Sequence, residues 1–133
     1  IGVKLARPDR TVVSMVGDGS FNFGHPIPAL WGAQKHNTPS LTVIYNNAGY
    51  RASGRFSVQA LYPEGIVART HDAVVDAIDP PPDYARVAEA CGAYGVKVTE
   101  PGELLPALRK ALDEVQHGRA AVVDAAIRKS TEG

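Results

Sequence analysis

Two short polar stretches carry the residue types that could do chemistry. One is Gly17-Asp18-Gly19-Ser20, and the other is Asn46-Asn47, followed by Ala48-Gly49-Tyr50. Asp18 offers a carboxylate and Asn47 an amide oxygen. Both are hard donors of the kind Mg2+ takes, and Mg2+ leaves its other positions to water and substrate phosphates. Gly17 and Gly19 permit a tight turn and close approach of backbone to a ligand. Backbone N–H groups of that turn and the Ser20 hydroxyl suit phosphate oxygens. The combination reads as a metal-bridged diphosphate site. Either stretch alone reads as a surface turn; the pair, each at the end of a strand with one helix between, does not. Spacing excludes two other phosphate sites. Gly-x-Gly-x-x-Gly fails because Asn22 stands where the third glycine belongs, and no Gly-Lys-Ser/Thr occurs.

The elements that must position these residues follow from periodicity. Thr11–Val16 is a β-branched apolar run closed by Gly17, which predicts a buried strand. Ile27, Leu30, Trp31 and Gln34 recur at helical spacing over residues 27–36, with Pro26 and Pro28 suited to a first turn. Leu41–Tyr45 predicts a second strand, ended by Asn46-Asn47. Residues 48–80 show no period, and their glycines raise the cost of ordering, which predicts a mobile segment. Asp83 caps a helix running to Cys91, with Tyr84, Val87, Ala88 and Cys91 on one face and Gly92 ending it. Tyr94–Val98 is a third strand. A helix follows over about residues 102–116, with Leu104, Leu105, Leu108, Leu112 and Val115 as its buried stripe; Pro106 fits only near its first turn. Ala120–Ala126 is the fourth strand. Strands alternating with helices predict an α/β fold: a parallel sheet with helices on both faces, its ligands at the carboxyl ends of the strands.

Composition narrows the function classes. The 133 residues carry 14 Lys plus Arg and 14 Asp plus Glu, a formal charge of zero. That argues against a nucleic-acid binder, which would show a basic face. No apolar run approaches the ~20 residues a membrane span needs. One cysteine, Cys91, excludes an internal disulfide and a cysteine-based zinc site, and the usage fits a cytoplasmic protein. Residues 1–66 hold six basic and three acidic side chains, and residues 67–133 hold eight and eleven. Solvated helix faces account for this asymmetry, although an anion meeting the first half would also do so. The chain begins Ile1-Gly2-Val3-Lys4-Leu5-Ala6, which reads as the tail of an apolar helix, and ends in a polar Arg128–Gly133 expected to fray. These ends lead us to expect a fragment of a longer polypeptide.

Gly17-Asp-Gly-Ser20 with the later Asn46-Asn47 resembles the cofactor motif of the thiamine diphosphate-dependent enzyme superfamily, of the acetolactate synthase and benzoylformate decarboxylase type. The similarity extends through Asn47-Ala-Gly-Tyr50, the Pro82-Asp-Tyr-Ala-Arg-Val-Ala-Glu-Ala90 segment and the final helix and strand. The resemblance implies that residues 1–133 are a single, partial C-terminal thiamine diphosphate-binding domain. It implies that Asp18, the Asn47 side chain and the Gly49 carbonyl ligate Mg2+. Gly17, Gly19 and Ser20 would hold the diphosphate, with Tyr50 and the loop after it closing over it. It implies no catalytic residue here: the glutamate that activates the cofactor comes from a pyrimidine-binding domain of the same or a partner chain, in a homo-oligomer. The implied activity is a lyase or transferase, a decarboxylase or carboligase acting on a 2-oxo acid, with the fragment alone inactive. Two alternatives stand beside it. One is a non-catalytic module of the same fold serving as a subunit interface or regulatory domain. The other is an oxidoreductase subunit feeding iron–sulfur clusters, none of which a chain with one cysteine could itself bind.

Other residues have plainer readings. His25 could line the pocket or face solvent at the start of a helix. His36, His71 and His117 read as surface residues, Trp31 as core, and Cys91 as an inert thiol on a buried helix face. Arg51 and Arg55 could meet an anion, but a solvated loop is the simpler reading.

Overall fold

The structure is a computed structural model that describes residues 1–70 and 76–128. Four strands, β1 (Val13–Gly17), β2 (Leu41–Asn46), β3 (Tyr94–Val98) and β4 (Ala121–Ala126), form one parallel sheet in the order β1-β2-β4-β3. β1 and β2 lie side by side with Gly17 opposite Tyr45, so the two polar stretches leave the sheet at the same edge.

Helices cover both faces. After the short α1 (Gly2–Ala6), α2 (Asp18–Phe23) and α3 (Pro26–Lys35) link β1 to β2. α4 (Ser57–Leu61), α5 (Ile66–Thr70) and α6 (Tyr84–Ala90) precede β3, and α7 (Leu104–Gln116) joins β3 to β4. On one face Phe21, Leu30, Tyr84 and Ala88 of α2, α3 and α6 pack on Ile44 and Val122. On the other, Ala111 and Val115 of α7 pack on Leu41, Val43, Val98 and Val123. Residues 44 and 122 point one way and 43 and 123 the other, as the two-residue period of a strand requires.

Local chemistry explains the boundaries. The Asp83 side chain accepts a hydrogen bond from Arg86 N (3.0 Å) and caps α6. Gly92, at φ +81°, supplies the left-handed residue just beyond the helix. Pro101–Glu103 forms a 3-10 turn, so α7 begins at Leu104 and Pro106 falls in its first turn, where its missing N–H costs nothing.

Several expectations are corrected. β1 is an edge strand rather than a buried one; Val13 and Met15 stand 50% and 62% exposed, because α7 covers β2, β3 and β4 but does not reach β1. The inward side of α3 is Leu30 and Ala33, with Gly32 buried against Ile1, while Ile27, Trp31 and Gln34 face out. Only i, i+3 contact with α6 is needed there, so Trp31 is not core; Lys35 Nζ instead sits 4.9 Å over its ring. On α7, Leu105 is exposed and Ala111 takes the central buried position. Cys91 is half-buried at the end of α6. Residues 51–70, read from sequence as irregular, hold a π-helical turn (Arg51–Phe56) and the short helices α4 and α5, neither of which has a buried residue. The expectations for His71 and for the end of the chain from residue 129 onward lie outside the described residues.

Where α7 stops short of β1, an apolar groove of about 420 Å³ remains, floored by Val13, Met15, Leu41 and Val43 and walled by Leu104 and Leu108.

Candidate functional site

The carboxyl edge of β1 and β2 gathers the polar stretches around one pocket. It has a volume of about 140 Å³ and is lined by Gly17, Asp18, Gly19, Ser20, Asn47, Gly49, Tyr50, Arg51 and Ala52. All seven residues singled out from the sequence are among them.

Gly17, in extended conformation, is the N-cap of α2, so Asp18 is the first residue of a helix and not part of an open turn. Its carboxylate is almost wholly buried, and Oδ2 accepts a hydrogen bond from Gly49 N (2.9 Å). Gly19 follows on the inner side, where the Tyr50 ring lies so close that an added Cβ would sit 2.5 Å from it. Phe23, one turn further along α2 from Gly19, meets the Tyr50 ring in an edge-on contact. Ser20 is exposed at the pocket rim.

After β2, the turn is built by side chains. Asn46 Oδ1 accepts from Ala48 N (3.0 Å), which steadies Ala48 in the left-handed region at φ +56°. Two bonds then clamp the turn to the far end of the long excursion: Tyr50 N to Asp76 O (2.7 Å) and Ile78 N to Ala48 O (3.0 Å). These bonds flank the antiparallel bridge between Gly49 and Ala77, so Gly49 turns its own N–H and C=O away from residues 76–78. The N–H finds Asp18. A Cβ at Gly49 would stand 2.8 Å from Asp76 O, so only glycine allows the close approach.

Asn47 lies between these anchors. Its Oδ1 is buried and has no hydrogen-bond partner among the described residues. A buried amide oxygen left bare is costly unless something else meets it. Among the described residues no three His, Cys, Asp or Glu side chains gather as a metal cluster; the oxygens available at this pocket come from one carboxylate, one amide and backbone.

Three further residues support the site and were not legible as such. Arg51 lines the pocket and pairs with Asp76 through Nη1 (3.0 Å), with its side chain only 20% exposed. This corrects the reading of Arg51 as solvated, since the clamp at residues 76–78 folds a carboxylate onto it. Asp124, in the middle of β4, is fully buried and accepts from Asn46 Nδ2 (2.8 Å). Burial pushes its carboxyl above the usual range, partly offset by the Asn46 bond. An acid interrupting the apolar run Ala120–Ala126 was the one signal for it in sequence. Tyr84 of α6 is buried beneath the site; its hydroxyl accepts from Asn22 Nδ2 (3.1 Å), and burial pushes it up to about 12.

The histidines stand apart. His25 is the exposed residue preceding α3, in the left-handed region, and does not line the pocket. His36 is exposed at the end of α3, and His117 is exposed at the end of α7 beside Asp113. No helix among the described residues is long and apolar enough to cross a membrane.

Known proteins resemble this chain over nearly its whole length. The family model described as "Thiamine pyrophosphate enzyme, C-terminal TPP binding domain" matches residues 1–125. The chain is 32% identical over 127 residues to the acetolactate synthase isozyme 3 large subunit of Escherichia coli, covering 96% of this chain and 20% of that protein. It is 33% identical over 130 residues to a sulfoacetaldehyde acetyltransferase of Rhodobacter capsulatus, covering 97% and 20%. Among solved structures, the Rhodococcus jostii thiamine diphosphate-dependent 4-hydroxybenzoylformate decarboxylase superposes with a TM-score of 0.73 at 30% identity, over 99% of this chain and 22% of that one. The chain thus spans about a fifth of the length of the relatives it matches. With its fold, its paired strand ends and residues 1–125 all in agreement, the chain belongs to the thiamine pyrophosphate enzyme family, as its C-terminal TPP-binding domain.

Proposed function

We propose that this domain anchors thiamine diphosphate through Mg2+, as part of a longer decarboxylase or carboligase acting on a 2-oxo acid. The observation that carries the reading is the buried, unpartnered Asn47 Oδ1 in the pocket that Asp18 also lines. The donor set fits the ion. One carboxylate, one amide oxygen and the Gly49 carbonyl are hard oxygens that leave room in an octahedron for phosphate and water. In this reading Asp18 and Asn47 bind the metal, while Gly17, Gly19 and Ser20 present N–H and hydroxyl groups to the diphosphate. Tyr50 covers the pocket and excludes water from it, held in place by contact with Phe23 and by the bond from its N–H to Asp76. When bound, thiamine diphosphate supplies the electron sink for breaking or forming a bond next to the carbonyl of a 2-oxo acid, and the protein supplies its orientation.

The same reading assigns this chain no acid or base for the reaction. Those come with the pyrimidine-binding domain of the same or a partner chain, in a cytoplasmic homo-oligomer, and the 133 residues alone bind without turning over. Titration calorimetry on the full natural polypeptide tests the anchor. The natural protein binds thiamine diphosphate only with Mg2+ present. Asp18→Ala weakens that binding beyond the roughly 10–100-fold typical of an outer-shell change, with its melting temperature retained. Metal-independent binding, or an Asp18→Ala variant that binds normally, contradicts the reading.

A further inference from the structure

We propose that Asp124 is a positioning residue for the metal and diphosphate pocket, acting through Asn46. The inference rests on the function proposed above and extends it to a residue that touches neither pocket nor ligand.

The register sets up the contact. Asp124 pairs with Ile44 across β4 and β2, and Asn46 pairs with Ala126. Residues 46 and 124 are therefore diagonal neighbours on the same sheet face, within reach of one another. Asn46 Nδ2 donates to Asp124 Oδ1 at 2.8 Å. This bond fixes which end of the Asn46 amide faces the sheet. The amide oxygen then points along the turn and accepts from Ala48 N at 3.0 Å. Ala48 is thereby held at φ +56°, a left-handed conformation that an alanine does not adopt without support. One residue later Gly49 N reaches Asp18 Oδ2 at 2.9 Å. Three hydrogen bonds thus run from the middle of β4 to the carboxylate of Asp18, and Asn47, whose Oδ1 has no partner among the described residues, sits inside the turn that the second of them closes.

Asp124 is a poor choice for stability. It is fully buried, and its second oxygen, Oδ2, has no hydrogen-bond partner among the described residues. On the same face Val122 below it and Ile44 across on β2 are apolar and fully buried, while Lys97, its register partner on β3, is an exposed residue whose charge offsets only part of the effect of burial. A hydrophobic residue of similar volume would avoid the desolvation cost. What an apolar side chain could not do is hold the Asn46 amide. Turned over, that amide would present N–H2 to the Ala48 N–H, and the turn that aims Asn47 would lose its brace.

The test uses the full natural polypeptide and three substitutions, read by Mg2+-dependent thiamine diphosphate binding and by thermal melting. Asp124→Asn keeps an oxygen acceptor for Asn46 and removes only the charge; it binds close to the natural protein. Asp124→Leu removes the acceptor and weakens Mg2+ and cofactor binding by about tenfold or more, the range for outer-shell partners of a metal, while the domain still melts cooperatively. If Asp124→Leu does not fold, Asn46→Ala breaks the same link from the strand end and carries the same expectation. Normal binding by a folded Asp124→Leu or Asn46→Ala variant overturns the proposal. So does an Asp124→Asn variant that folds but loses binding, which would make the charge rather than the acceptor the active feature. Asp18→Ala, run alongside, separates the two levels. If it destroys binding while Asp124→Leu leaves it intact, the anchor stands and the positioning role falls; if Asp18→Ala also binds normally, the anchor itself is wrong.

Discussion

Asp18 and Asn47 were legible as single residues because their chemistry is local: a carboxylate between glycines and an amide at a strand end need no partner to be noticed. Their support was not. Asp124 is 78 residues from Asn46, and Asp76 meets Arg51 only because the long excursion folds back on its own start. Tyr84 belongs with these. It was read as one face of a helix, yet its ring meets Phe21 edge-on at 5.5 Å and its hydroxyl takes a bond from Asn22, the residue on the next turn of α2 from Asp18. Tyr84→Phe should cost about 1 kcal/mol at neutral pH, the net worth of one hydrogen bond, measurable by urea denaturation. The alkaline behaviour follows from linkage. Burial holds the folded hydroxyl near 12, against an ordinary value of 10.0. Between those values the unfolded chain has released its proton and the folded chain has not, so stability falls as pH rises from about 10 towards 12. Tyr84→Phe should flatten that fall, and an unchanged slope would mean that another group causes it.

At the level of elements, strands and strongly periodic helices were readable and the pieces around the site were not. Tyr94–Val98 is a strand in sequence and structure alike, and the delayed start of α7 follows from Pro106. α2 was missed because Gly-Asp-Gly reads as a turn; glycine is a poor helix former, and what recruits these residues into a helix is tertiary. Phe21 buries itself against Tyr84 and Ile44, and the Tyr50 ring lies close against Gly19. The apolar content of β1 reads as a buried strand, whereas its place at the edge depends on strand order, which composition does not encode. Gly19→Ala weighs the two influences on α2. Alanine gains about 1 kcal/mol in helix propensity. Its Cβ, however, would meet the Tyr50 ring at 2.5 Å, and overpacking of that kind costs about 1–3 kcal/mol. The variant should be net destabilised, with weaker cofactor binding as Tyr50 is displaced. A more stable variant with normal binding would show that Tyr50 yields without consequence.

The molecule as a whole is a sheet with one finished face and one unfinished. α2, α3 and α6 close the first around Tyr84 and Ile44; α7 closes only part of the second and leaves the groove along β1 open. The pocket sits at the end of that same strand, so the most exposed strand of the sheet carries the residue on which the site depends. Its rigidity comes from inside, through β2 and β4, where Ile44, Val122, Val123 and Asp124 are fully buried. Asp18, Asn47 and the Gly49 carbonyl should therefore share a single ion at one point of the carboxyl edge. The most direct measurement is a crystal structure of the full natural polypeptide grown with thiamine diphosphate and Mn2+ in place of Mg2+, with data collected for the manganese anomalous signal. One anomalous peak is expected, at bonding distance from a carboxylate oxygen of Asp18, Asn47 Oδ1 and Gly49 O, with the diphosphate completing its coordination. A peak elsewhere, or cofactor bound with Asn47 Oδ1 still unpartnered, would contradict that expectation.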